Sequence, residues 1–386
     1  MALRIVIDVR RLNDFGIGTY IRNLVQALGE LDHQNQYVLV ALPGDQAELA
    51  GLPENFRTAV YKRPDRARLD QVAFSFFLRQ FSADLVHVPL NVVPWLMPRP
   101  YVVTIHDMSS LLYGHSPRLR RSWRWYLFRR GLLRAAKVIA VSAATRRDVE
   151  SALGIPAERI RQIYDAPDPR FVTDEGATGG AEWAQVRRHT LERYQVNYPF
   201  ILYAGTIRPQ KNIPRLVEAF AVLRGELESH PLYRDLRLII IGDEISKYPS
   251  VRRAVIQTRV EDRVRFLGFV PFETLRVFYE AAAAFVFPSL YEGFGLPPLE
   301  AMASGTPVVT SNVSSLPEVV GEAAVQVNPE NVFEIARGMR EALLDEARRS
   351  ELIRLGYEQV RRFSWARTAR QVLEIYQEVG QSRSGG

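Results

Sequence analysis

The chain has 386 residues, 47% of them hydrophobic and 24% charged, with no cysteine and a net charge of +7. That length exceeds one ordinary core and suits two α/β domains, the residue balance excludes wholesale disorder, and the missing thiols exclude disulfides, cysteine-zinc sites and a cysteine nucleophile. The positive charge is local: ten Arg or Lys and no acid stand between Asp107 and Asp148, so the remainder sums to −3, which argues against a nucleic-acid-coating protein.

Residues 3–9 read as a strand. A glycine-containing loop follows, then a helix with Ile21, Leu24, Val25, Leu28 and Leu31 on one face at the spacing of a 3.6-residue period. Further buried strands are expected at 37–42, 85–88, 102–105 and 138–141. Ser142 then reads as a helix N-cap and Gly154 as its stop. The pattern lapses over 173–198, a stretch read as linker or loop. It restarts with strands at 201–204, 238–241, 264–267, 285–287 and 307–310, again separated by helical segments. Strands alternating with helices twice over imply two doubly wound parallel sheets, over 1–172 and 199–363, with a cleft between them. Residues 364–386 are expected to form a C-terminal helix returning to the first domain, ending in a frayed tail. No apolar run reaches the roughly 18 residues of a membrane span. Arg4, Asp8 and Arg10 break the only N-terminal apolar run, so no signal peptide is expected and the cytoplasm is the expected location.

Open parallel sheets bind ligands beyond the carboxyl ends of their strands, and four loops there carry chemistry. Gly16 and Gly18 allow close backbone approach to a phosphate at a helix N-terminus, though a tight strand-to-helix turn needs the same residues. His106, beside Asp107 at a strand end, suits donation to a substrate hydroxyl, or equally a hydrogen bond within the fold. Arg208 and Lys211 can pair with a diphosphate, against the alternative of a solvated basic loop. In the fourth loop Glu292 lies among Gly293, Phe294 and Gly295, and Glu300 falls in the first turn of a helix begun by Pro297 and Pro298. Each carboxylate can hold two neighbouring sugar hydroxyls, while Glu300 taken in isolation reads as a first-turn acid complementing the helix dipole.

The stretch 288–307, with Glu292 and Glu300 in an E-x₇-E spacing, resembles the signature of family 4 of the retaining glycosyltransferases, whose architecture is GT-B. The resemblance extends to 314–321, 205–212, 103–107 and 139–142, most of the chain in the right order. It implies that Glu300 binds the nucleotide ribose, Glu292 the transferred sugar, and the backbone of Phe294 and Gly295 the sugar and diphosphate. Lys211 would neutralise the leaving diphosphate near Gly16 and Gly18, His106 would contact the donor sugar near the reacting carbon, and the backbone at Val270 would hold the base. The chain departs from the common family form at Thr206, where Arg is usual, with Arg208 as the candidate substitute. It departs again at 164–168, where an Asn-Gly pair is usual. The wording of the Glu292 and Lys211 loops is most similar to mannosyltransferases that use GDP-mannose, with UDP-sugars as the alternative donors. No cofactor is expected, and no D-x-D pair is present to bridge a metal to the diphosphate.

Two rivals remain at this stage: a nucleotide-sugar-binding scaffold without transfer activity, and a nicotinamide-dependent oxidoreductase. The second would need a third glycine where Ile21 stands. Finally, in the basic stretch Arg120, Arg121 and Arg124 interleave with Trp125 and Phe128, a combination suited to an anionic membrane surface or a glycan or lipid-linked acceptor. An ordinary two-sided surface helix is the plainer alternative.

Overall fold

A computed structural model describes residues 2–63, 68–112, 123–172 and 180–384. The chain divides into two compact units: residues 1–166 with 363–386, and residues 167–362.

The first unit is built on a seven-stranded parallel sheet in the order β3-β2-β1-β4-β5-β6-β7. Its strands are β1 (Arg4–Asp8), β2 (Gln36–Ala41), β3 (Phe56–Val60), β4 (Leu85–Val88), β5 (Tyr101–Ile105), β6 (Lys137–Ala140) and β7 (Ile160–Gln162). β4 and β5 are buried at every position, as strands covered by helices on both faces must be. Helix α1 (Ile17–Leu31) buries the expected face through Ile21, Leu24, Val25 and Leu28. Among the described residues this unit also contains α2 (Arg68–Arg79), α3 (Ser109–Leu112), α4 (Trp123–Arg134) and α5 (Ala143–Leu153). Ser142 caps α5 by accepting a hydrogen bond from the Thr145 amide, and Gly154 ends it in the left-handed conformation. The last helix, α14 (Trp365–Ser384), packs on α1 and β4. Its Tyr376 hydroxyl meets His87 Nδ1 at 2.6 Å.

The second unit repeats the plan with six parallel strands in the order β10-β9-β8-β11-β12-β13. They are β8 (Phe200–Gly205), β9 (Arg237–Gly242), β10 (Val264–Gly268), β11 (Ala284–Phe287), β12 (Val308–Ser311) and β13 (Ala324–Val327). Its helices are α6 (Ala181–Arg193), α7 (Ile213–Glu226), α8 (Pro249–Thr258), α9 (Phe272–Ala281), α10 (Leu296–Ala303), α11 (Leu316–Val320), α12 (Val332–Leu344) and α13 (Glu346–Val360).

The structure differs from expectation in two ways. Strands β3, β7 and β13 are additional: they are short edge or near-edge strands with exposed positions, so they lack the continuous apolar run that marks the central ones. The expected linker over 173–198 contains α6, none of whose residues is buried. An amphipathic signal is therefore missing, and the helix is held instead by Trp183, whose indole N–H donates to Glu280 at 2.7 Å under the Arg276 guanidinium. Residues 173–179 lie outside the described residues.

Candidate functional site

In each sheet the chain reverses winding direction beside the first strand, between β1 and β4 and between β8 and β11. Loops leaving such a pair diverge and open a crevice at the carboxyl edge. Lys211 comes from the loop after β8 and Glu292 from the loop after β11, so both stand at the second unit's switch point.

Backbone and side-chain bonds lock those two loops together. The Leu290 amide donates to the Gln210 carbonyl at 2.7 Å. Asn212, in the left-handed conformation at φ 61°, donates through Nδ2 to the carbonyls of Pro288 (3.0 Å) and Pro329 (2.7 Å). Asp243 accepts from the Ile207 amide and the Tyr248 hydroxyl, which fixes the start of the Lys211 loop. Below Glu292, Ser314 Oγ donates to the Glu292 carbonyl at 2.6 Å and Ser315 Oγ to the Phe294 carbonyl at 2.5 Å. The result is close approach of the two predicted groups: Lys211 Nζ donates to both carboxylate oxygens of Glu292, at 2.6 and 2.7 Å. Both side chains are largely buried, at 15% and 12% exposure, so the pair is held against solvent screening. Lys211 also lies 5.1 Å above the Phe287 ring.

Gly295 opens α10 with φ 126°, a backbone conformation that side chains resist, and Gly293 and Phe294 are buried beside it. Glu300 follows on α10 and accepts from the Tyr279 hydroxyl at 3.0 Å. Its surface is partly exposed, yet its carboxyl is enclosed deeply enough for loss of water to dominate. Burial raises its pKa to about 7, against the lowering hydrogen bond from Tyr279, with Asp168 raising it further and Arg170 lowering it. Asp168, Arg170 and Tyr279 carried no signal as site residues. Tyr279 reads as a core aromatic, and the 164–168 segment stood out only for its missing Asn-Gly pair.

Arg208 is exposed, near enough to Tyr248 for its charge to act on the phenol. Val270 is buried in the loop after β10, while the preceding Phe269 is 72% exposed.

In the first unit Gly16 is exposed with φ 58° at the head of α1. Gly18 is buried, and a Cβ there would stand 2.1 Å from the Leu12 carbonyl oxygen, so packing alone requires this glycine. His106 is buried, with Nε2 3.1 Å from the Pro89 carbonyl and its ring edge-on to Tyr20 at 4.8 Å. Only an N–H can bond to that carbonyl, which places the proton on Nε2 and a lone pair on Nδ1. Burial lowers the pKa of His106 to about 4, so the imidazole is neutral and does not act as a cation. On α4 the outward aromatics are Trp123 (67% exposed) and Tyr126, whereas Trp125 and Phe128 are half-buried and share a helix face with buried Leu132 and Ala135. This departs from the expected contact face. Arg120 and Arg121 lie outside the described residues, and of Arg124 the structure describes the backbone alone.

Two parallel-sheet domains, one with a cation and a carboxylate paired at its switch point, place charged groups where open α/β sheets bind ligands. Residues 191–359 match the model described as glycosyl transferases group 1, and residues 16–171 the model of glycosyltransferase family 4. The chain is 33% identical to the O-antigen chain mannosyltransferase B of Escherichia coli, covering 78% of this chain and 75% of that one. It is 32% identical to the serotype-specific mannosyltransferase WbdA of the same organism over 80% of this chain, and spans 36% of that longer protein. The crystal structure of Anabaena HepE in complex with UDP and glucose superposes with a TM-score of 0.75 at 18% identity, covering 97% of this chain and all of that one, which establishes the GT-B fold. The chain belongs to glycosyltransferase family 4. That membership displaces the nicotinamide-dependent alternative.

Proposed function

We propose that the protein is a retaining, metal-independent mannosyltransferase that uses GDP-mannose and acts on a glycan or lipid-linked acceptor. The observation that carries the reading is the meeting of Lys211 and Glu292 at one switch point, with Glu300 on the helix opened by the same glycine-rich loop. Glu300 accepts the ribose hydroxyls, Glu292 the hydroxyls of the transferred sugar, and Lys211 the charge of the departing diphosphate. A substrate diphosphate then takes Lys211 from Glu292 and frees that carboxylate for the sugar. The mannosyl relatives and the wording of the two loops support the choice of mannose.

In the transfer, the bond between the anomeric carbon and the β-phosphate oxygen breaks as the acceptor oxygen attacks from the same face. The phosphate oxygen takes the acceptor proton, and the products are the glycoside and GDP. Charge grows on the diphosphate, so a preorganised ammonium is the largest protein contribution. Neutral His106 serves through its Nδ1 lone pair as an acceptor for a sugar hydroxyl. Cation supply from Lys211 and Arg208, and a sequence without D-x-D, support independence from metal. The basic and aromatic α4 region serves an anionic membrane surface, with Trp123 and Tyr126 as its outward aromatics.

Incubation with GDP-mannose, UDP-glucose and UDP-N-acetylglucosamine, scored by thermal shift and by release of nucleoside diphosphate, tests the donor. A response to GDP-mannose above the others is expected. A response confined to the UDP-sugars would reject the mannose assignment. Binding without any release, in the presence of an acceptor glycan extract, would favour the scaffold reading.

A further inference from the structure

The first residues of the second unit, 167–172, lie against α9, the helix whose Tyr279 donates to Glu300. Asp168 caps a short turn (Pro169–Phe171) and accepts from the Arg170 amide at 3.0 Å. It also takes both arms of the Arg170 guanidinium, Nε at 2.9 Å and a terminal nitrogen at 2.8 Å. The same guanidinium stacks 3.7 Å above the Phe272 ring. Next to Arg170, buried Phe171 presses on Phe272 (4.4 Å between rings) and meets Tyr279 edge-on at 5.4 Å. Tyr279 in turn donates to Glu300. One contiguous set of contacts therefore runs from an ion pair to the carboxylate assigned to the ribose.

We infer that Asp168 and Arg170 are positioning residues that tune the Glu300 carboxylate for a nucleoside diphosphate, acting through their opposed charges and through Phe171 on Tyr279. The inference rests on the reading of Glu300 as the ribose acceptor.

The opposed charges give it a distinctive signature. Asp168 disfavours the Glu300 anion and Arg170 favours it, so removing one partner or the other should move the carboxyl in opposite directions. Tyr279 faces Glu300 from α9, and Glu273 on the same helix acts on Arg170. β11 and β12 present no titratable side chain, α11 carries Glu318, and Tyr357 of α13 stands against Gly305 beyond the helix end. A protonated carboxyl can no longer accept two hydroxyls at full strength, so nucleotide affinity must fall as pH drops through the Glu300 midpoint.

The test is a carbon-13 NMR titration of the Glu300 carboxyl in ligand-free protein, run beside calorimetric titrations with GDP and UDP, from about pH 5.5 to about pH 8.5. Titration of the diphosphate is common to all variants and cancels in the comparison with wild type. Asp168→Asn should lower the Glu300 midpoint and Arg170→Gln raise it, each by at least about half a pH unit, with Arg170→Lys returning close to wild type. Nucleotide affinity below the midpoint should follow, by about tenfold for each pH unit of displacement. Should Arg170→Gln fail to fold, Tyr279→Phe replaces it, with a raised midpoint expected. A purely structural role predicts weakened binding with unmoved midpoints, and that result, or midpoints moving in one direction in both variants, overturns the inference. Opposite midpoint shifts with nucleotide affinity indifferent to them and to Glu300→Gln would instead reject the ribose assignment on which it rests.

Discussion

Lys211 pairs with Glu292 in the free protein and, in the proposed reading, with a diphosphate in the complex, and its variants should separate the two. Lys211→Ala is expected to cost about 2–4 kcal/mol of transition-state stabilisation, roughly 10²–10³ in rate, as loss of a preorganised donor does. It also strands a largely buried carboxylate, at about 1–3 kcal/mol of fold stability. Adding Glu292→Gln removes the stranded charge, so denaturant unfolding should show stability returning in the double variant while turnover does not. Recovery of turnover together with stability would make Lys211 a structural residue only. The acids divide differently. Glu300→Gln should weaken binding of free GDP by about 1–3 kcal/mol, the worth of a charged hydrogen bond. Glu292→Gln releases Lys211 and should bind GDP no less tightly than wild type while turning over slowly. Calorimetry decides between them, and equal losses in both variants contradict the assigned roles.

At the scale of elements, the site depends on how closely the ends of β8 and β9 approach. Gly242 has φ 156°, and a Cβ there would stand 2.0 Å from the Gly205 carbonyl oxygen. Gly242→Ala must therefore push the β8 end and the Lys211 loop apart, costing about 1–3 kcal/mol of stability and reducing nucleotide affinity with it. Unchanged GDP binding at unchanged stability would mean that the Lys211 loop does not depend on this contact. The central strands were legible in the sequence because burial on both faces leaves unbroken apolar runs such as 238–241. β7 is only Ile160–Gln162, with Arg161 exposed, and α6 buries nothing, so neither could announce itself through periodicity. Lys211, Glu292 and Glu300 were legible because they sit in loops with distinctive composition. Their environment was not. The mutual pairing of Lys211 and Glu292 joins residues 81 positions apart, and the Tyr279 bond to Glu300 spans 21. The neutral state of His106 comes from its burial and its tautomer from the Pro89 carbonyl, neither of which a motif encodes.

For the molecule as a whole, no helix among the described residues is long and apolar enough to cross a membrane. Co-sedimentation with anionic liposomes should occur at low salt, weaken as salt rises, and fall when Arg120, Arg121 and Arg124 become Glu or when Trp123 becomes Ala. Equal recovery in the supernatant with and without anionic lipid would remove the membrane from the account. Activity should also survive excess chelator, and loss restored by Mg²⁺ or Mn²⁺ would replace the Lys211-centred mechanism with a metal-centred one.

Transfer of mannose from GDP-mannose with retention is reported by the anomer that forms first. Proton NMR can follow GDP-α-mannose turned over by the wild-type protein in an acceptor-free buffer, where water takes the acceptor's place. Slow release of GDP is expected, with α-mannose appearing before mutarotation, and that release should be lost in Lys211→Ala. First appearance of β-mannose, or GDP release unaffected by Lys211→Ala, would contradict it.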